Sequence, residues 1–136
     1  MTTQMQNPKR VRAEIELLST HFGDVQFNPD DPSTVIIERF DLPRGFNRSY
    51  CQLLIDLGRY YSELPPQNFY LSRGLRKNGL TIPHYFEDWS GKKYCKQGWA
   101  WFCLQIESWK PNPYSMLGGD NLLTVTNACY DALKMA

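Results

Sequence analysis

Hydrophobic positions near the N-terminus repeat at helical spacing. Val11, Ile15 and Leu18 follow one another at steps of four and three residues, which places them on one face of an α-helix. Asn7 lies just before this pattern, and its side chain can cap the free amides of a first turn. The pattern predicts a helix over residues 7–20.

Three later segments have the composition of β-strands. Residues 34–40, 50–57 and 68–71 are rich in β-branched, aromatic and aliphatic side chains, and the stretches between them contain Pro, Gly and Asn. Such residues favour turns between strands. These segments predict an antiparallel meander. The apolar run WAWFCLQI at 99–106 is either a buried strand or an extended segment packed on the sheet.

Two further segments complete the predicted fold. Residues 72–98 are rich in Gly, Lys, Arg and Asn and show no sustained periodicity, which indicates a long surface loop with at most a fragment of strand. Asp120 is placed to cap a last helix, whose apolar stripe is Leu122, Val125, Cys129 and Leu133. We therefore predict one α/β (α+β) domain over residues 1–136: helix, antiparallel meander, long loop, helix.

Length and charge narrow the class of protein. The chain has 136 residues, 42% of them hydrophobic, and 15 Lys and Arg balance 14 Asp and Glu. One core is expected at this size, and the balance argues against nucleic acid or an anionic membrane as the partner. Neither a long apolar run nor an apolar leader is present. We predict a cytoplasmic protein without a membrane segment.

The cysteines and histidines show no metal-ligand spacing. Cys51, Cys95, Cys103 and Cys129 form no C-x-x-C pair, so we expect no metal, no cofactor and no disulfide. Cys51 and Cys129 fall on apolar faces and are predicted to be inert core residues. A Cys-His hydrolase built on Cys103 with His21 or His84 has no local motif to support it.

The segment WFCLQIESWKP resembles the active-site segment of ubiquitin-conjugating enzymes. In that family the nucleophilic cysteine precedes a Trp-x-Pro, and Cys103, Leu104, Trp109 and Pro111 match this pattern. The stretch YYSELPPQNFYL is similar to the family's Tyr-Pro segment followed by Pro-Pro. The resemblance implies a UBC-like fold with a long active-site loop.

Departures from the family pattern point to a particular branch. The His-Pro-Asn motif is absent, and the nearest sequence reverses the order at Pro83 and His84. Cys103 lies about two residues closer to Trp109 than is typical of the family, and one helix follows the site where eukaryotic members usually carry two more. These features resemble stand-alone bacterial members of antiviral (CBASS-type) operons.

The resemblance implies a transferase that works through a cysteine thioester. Cys103 is the first choice of nucleophile. Cys95 is the second, because its distance from His84 along the chain resembles the family's spacing between motif and nucleophile. In the family, the Asn of the His-Pro-Asn motif supports the oxyanion that forms during the reaction. Because this Asn is absent here, the hydrogen bond to the oxyanion is expected from His84, Asn112 or a backbone amide. The residues predicted to bind the donor tail are Tyr85, Trp101, Leu104, Trp109 and Pro111.

The same resemblance implies the partners. A basic first helix docks the activating enzyme in this family, which assigns that role to Lys9, Arg10 and Arg12 on its exposed side. The donor is expected to be a protein with a flexible C-terminal tail, either a cGAS/DncV-like nucleotidyltransferase or a ubiquitin-like protein. The aromatic residues of loop 72–98 either form a wall of the donor groove or cover the sheet. The alternative function is a non-catalytic UBC-like module that binds such a tail.

Overall fold

Two α-helices and six strands form the regular structure of residues 6–66 and 68–136, which the computed structural model describes. The helices are α1 (Pro8–Phe22) and α2 (Leu122–Met135). The strands are β1 (Val25–Phe27), β2 (Thr34–Asp41), β3 (Tyr50–Asp56), β4 (Asn68–Ser72), β5 (Tyr85–Phe86) and β6 (Trp99–Phe102). Short 3₁₀ helices cover Lys93–Gln97 and Met116–Gly118.

One antiparallel sheet organises these elements, in the order β1-β2-β3-β4-β6-β5. Both helices contribute to the apolar core on one face of the sheet, where α1 supplies Val11 and Leu18 and α2 supplies Leu122 and Val125. This arrangement of N-terminal helix, antiparallel sheet and C-terminal helix is consistent with a UBC-like fold. The predicted α+β fold class is confirmed.

The opposite face of the sheet carries a smaller cluster of buried side chains. Leu54, Tyr70 and Cys95 form its centre, and Trp99 and Trp101 pack against them. Residues of β6 alternate between the two faces, since Phe102 lies in the main core while Trp101 lies in this outer cluster. The 3₁₀ helix at Lys93–Gln97 brings Cys95 onto this face.

The predicted helix, meander and long loop agree with the structure, with three corrections. Asn7 caps α1 as expected, accepting from the amides of Lys9 and Arg10. β1 was missed, because a three-residue strand has too few positions to show alternation. The cap of α2 is Asn121 and not Asp120. The apolar run at 99–106 is a strand only as far as Phe102.

Cys51 makes the stability of the fold depend on pH in the alkaline range. Burial raises the pKa of its thiol from 9.0 to about 11, so the folded chain keeps a proton that the unfolded chain loses first. This contribution to stability is complete below pH 9 and is lost as the pH rises towards 11. We expect the free energy of unfolding, measured in urea, to fall by about 2–3 kcal/mol more in the wild type than in Cys51→Val between pH 9 and 11. Equal losses would contradict the prediction.

Candidate active site

Cys103 is the residue directly after β6, and its thiol is exposed. The thiols of Cys51, Cys95 and Cys129 are buried, so within residues 6–66 and 68–136 Cys103 carries the one thiol that faces solvent. Its backbone is fixed, because the Cys103 amide donates to the His84 carbonyl oxygen at 2.8 Å. A rigid backbone with an accessible sulfur suits a nucleophile.

The contact with His84 continues the pairing of the last two strands. β5 pairs with β6 through Tyr85 opposite Phe102, and the bond between Cys103 and His84 extends this ladder by one position. His84 has a φ of 63°, a conformation that non-glycine residues adopt mainly where surrounding structure imposes it. The structure thus brings together Cys103 and the exposed His84, which lie 19 positions apart in the sequence.

The hydrogen bond between the Cys103 amide and the His84 carbonyl also limits which groups can donate a hydrogen bond to the oxyanion. The Cys103 amide already donates to the His84 carbonyl, so it is not free to donate to the oxyanion that the predicted acyl transfer would form on the carbonyl oxygen of the donor. Among the predicted donors, His84, Asn112 and the backbone amides other than that of Cys103 therefore stay in consideration. The role of each remains a prediction.

Cys95 occupies a different environment. It is 7% exposed, packs with Leu54 and Tyr70 on the outer face of the sheet, and its Sγ lies 3.9 Å from the Phe86 carbonyl oxygen. An acyl donor the size of a protein tail has no open approach to a thiol in such a position. The geometry therefore favours Cys103 over Cys95.

The chain after the nucleophile is anchored at Trp109. Its indole Nε1 donates to the Ser62 carbonyl oxygen at 2.9 Å, and its ring centroid lies 5.9 Å from that of Tyr61. Next to it, the Lys110 amide donates to Asp120 Oδ2 at 2.7 Å and the Asp120 amide donates back to the Lys110 carbonyl. The Trp-x-Pro segment is therefore held to the loop after β3 and to the residues that precede α2.

Asn112 organises the following turn. Its Oδ1 accepts from the amides of Tyr114 and Ser115, at 2.9 and 3.1 Å. The Asn112 carbonyl accepts from Arg10 Nη1 at 2.5 Å. The side-chain oxygen thus has a structural role in the turn, and the predicted oxyanion role would require the Nδ2 end of the same amide.

The residues predicted to bind the donor tail separate into two groups. Tyr85 and Trp101 hold the long loop to the sheet: the Tyr85 hydroxyl donates to the Ser72 carbonyl at 2.5 Å, and the Trp101 ring lies 5.6 and 5.1 Å from those of Phe86 and Trp89. The aromatic residues of the loop therefore cover the sheet. Leu104, Trp109 and Pro111 lie after the nucleophile and are half-buried, which leaves this group as the candidate wall of a donor groove.

The three basic residues of α1 do not share one surface. Lys9 and Arg12 are exposed, but the side chain of Arg10 is only 10% exposed and forms an ion pair with Glu14 at 2.7 Å. The prediction that Arg10 lies on the exposed side of the helix is wrong. Its position, one turn before a buried acid on the inner face, accounts for the difference.

Glu14 is the residue near the site that the sequence reasoning missed. It is buried, and its carboxylate accepts from Arg10 Nε, the Tyr61 hydroxyl and the Leu122 amide. Burial and the neighbouring Glu14 charge raise the pKa of Tyr61 well above its usual range, so Tyr61 stays a neutral donor. The signal was available, because Glu14 falls on the apolar stripe of α1 three residues after Val11.

No group of three His, Cys, Asp or Glu side chains within the described residues is arranged to hold a metal ion. In the same part of the chain, no helix is both long and apolar enough to cross a membrane.

A comparison with protein families covers most of the chain. The model described as prokaryotic E2 family E matches residues 14–136. The chain belongs to this family. Membership in prokaryotic E2 family E agrees with the resemblance of the Cys103 segment to ubiquitin-conjugating enzymes, and it supports a ubiquitin-conjugating-like role and transferase activity in general. Comparisons with curated proteins and with solved structures give no match.

Proposed function

We propose that the protein carries the C-terminus of a donor protein as a thioester on Cys103 and transfers it to an amine. The observation that carries this proposal is the exposed thiol of Cys103 at the end of β6, in a chain of prokaryotic E2 family E. The backbone bond to His84 and the anchored Trp109 support it, because they fix both sides of the nucleophile. We place the reaction in the cytoplasm, where reducing conditions keep such thiols free.

The proposed chemistry has two acyl transfers. The Cys103 thiolate attacks the carbonyl carbon of an activated donor terminus, a sulfur–carbon bond forms, and the activating group leaves. An amine then attacks the same carbon, the sulfur leaves as a thiolate, and the amine loses its proton to solvent. A strong base beside the sulfur is not needed, since a modest thiolate fraction supports thioester exchange. The donor must reach Cys103 in an activated form, supplied by an activating enzyme or another activating factor.

The donor must have a tail that reaches the sulfur. Cys103 follows the end of a strand and lies between the buried Phe102 and the half-buried Leu104, so an extended and flexible C-terminal segment with a small last residue fits best. Glycine lets the backbone approach closely. We propose a cGAS/DncV-like nucleotidyltransferase in a CBASS-type antiviral operon as the donor, with a ubiquitin-like protein as the second candidate.

Removing the last residue of the donor is the test of this proposal. We expect the intact donor, with its activating factor, to form an adduct that a thiol reductant cleaves, seen on a non-reducing gel. The truncated donor should form none, while its non-covalent affinity changes little, because one residue is a small part of a protein interface. If the truncated donor loads normally, the protein is a binding module and the acyl-transfer proposal fails.

The exposed basic residues of α1 give a further prediction. Lys9→Glu combined with Arg12→Glu should slow loading several-fold at low salt and less at high salt, since screening weakens attraction between exposed charges. Both side chains are exposed, so the fold should be unaffected. The matched control is Arg39→Glu combined with Arg44→Glu, two exposed arginines on and after β2. Loading that is unchanged at low salt would exclude α1 as the docking surface.

A further inference from the structure

The segment that joins Cys103 to α2 has little regular structure of its own. Residues 103–121 contain only the three-residue 3₁₀ helix at Met116–Gly118. The path of this segment from the nucleophile to α2 therefore depends on contacts with neighbouring elements. Two of these contacts come from the buried face of α1, where Arg10 and Glu14 lie.

Arg10 holds two elements with different nitrogens of one guanidinium. Its Nε donates to Glu14 Oε2 at 2.7 Å, within α1, and its Nη1 donates to the Asn112 carbonyl oxygen at 2.5 Å. The donors of a guanidinium lie in a rigid planar fork. One side chain thus fixes the spacing between α1 and the segment after the nucleophile.

Glu14 holds the far end of the same segment. Its Oε1 accepts from the amide of Leu122, the first residue of α2, at 2.7 Å and from the Tyr61 hydroxyl at 2.5 Å. The Tyr61 ring lies against Trp109. A single buried carboxylate therefore sets the start of α2 and the tyrosine on which the Trp-x-Pro segment packs.

We infer that Arg10 and Glu14 are positioning residues for loading of Cys103. They hold residues 109–122 in the arrangement that admits the donor tail to the sulfur, and this role rests on the proposed function. Neither residue is assigned a contact with the reacting atoms. Their loss should therefore lower the maximal rate of loading more than it raises the donor concentration for half-maximal loading, because residues 109–122 are a small part of a protein interface.

Arg10→Lys is the discriminating variant. It keeps a positive charge beside Glu14, which preserves the fold, but one ammonium does not reproduce the fork that reaches both Glu14 and Asn112. We expect the maximal rate of loading to fall about tenfold, within what a displacement of ~1 Å at a reaction site can cost. Arg39→Lys, in the exposed pair with Asp41, is the control and should load like the wild type. Glu14→Gln, which keeps the shape and an acceptor oxygen, repeats the test with a second variant.

A spectroscopic measurement separates positioning from general stability. With 5-fluorotryptophan in place of the four tryptophans, the ¹⁹F signal of Trp109 is assigned from Trp109→Phe. It should move in Arg10→Lys and stay in place in Arg39→Lys. A Trp109 signal that does not move overturns the inference, and so does a moved signal with an unchanged loading rate.

Failure of the wild type to load any donor counts against the proposed function and not against the positioning of the segment. In that case the rate at which iodoacetamide alkylates Cys103 tests the positioning role of Arg10 and Glu14. A changed rate in Arg10→Lys, together with the moved Trp109 signal, supports positioning. An unchanged rate overturns it.

Discussion

Replacing Cys103 with alanine is expected to abolish the reductant-sensitive adduct between the protein and its donor. Cys103→Ser should either form no adduct or form an ester that reductant leaves intact, because a hydroxyl is a weaker nucleophile and its acyl product is not a thioester. The measurement is a non-reducing gel of the loading reaction, with and without a thiol reductant. The effect is a complete loss and not a graded one.

Cys95→Ala is the matched control for this experiment. Cys95 is buried on the outer face of the sheet, so its removal should leave loading intact. Labile adduct in Cys103→Ala together with none in Cys95→Ala would reverse the assignment of the nucleophile. Both variants should be checked for folding first, since Cys95 contributes to the outer cluster.

Replacing Glu14 with alanine is expected to cost about 3–5 kcal/mol of unfolding free energy, the usual effect of removing one partner from a buried ion pair. Arg10 would keep a nearly buried charge without its carboxylate, and the Tyr61 hydroxyl and the Leu122 amide would lose their acceptor. Each lost acceptor adds a desolvation penalty. Urea unfolding at neutral pH gives the difference directly.

Glu16→Ala is the control for Glu14→Ala. Glu16 lies on the exposed side of the same helix, and its replacement should change stability by no more than about 0.5 kcal/mol. A loss of less than about 1 kcal/mol in Glu14→Ala would mean that the network around this carboxylate contributes little net stability, as some buried ion pairs do.

Periodicity and composition together predicted the long elements and failed for the short ones. α1 buries one regular face against the core, so its apolar residues recur at a helical period. The strands β2 to β4 were predicted from their content of β-branched, aromatic and aliphatic side chains. β1 and β5 contain three and two residues, which is too few to show a period. Their pairing depends on the neighbouring strand.

The candidate site was also predicted only in part from the sequence. The motif around Cys103 and Trp109 is local in sequence, so it identified the segment. The contacts that fix this segment join residues far apart in the chain, such as Arg10 with Asn112 and Ser62 with Trp109. Sequence reasoning placed Arg10 on the exposed side of α1, away from the apolar stripe that begins at Val11. The buried acid one turn later reverses that expectation.

The two-residue edge strand β5 separates the stability of the site from that of the domain. β5 contributes few hydrogen bonds and lies at the margin of the sheet, so it can detach while the pairing of β4 with β6 stays closed. Local opening of this kind has a lower free energy than global unfolding. It would release the Cys103 amide from His84 without a change in the core. A melting temperature therefore measures the core of this protein, whereas the integrity of its nucleophile is measured by hydrogen exchange at the Cys103 amide.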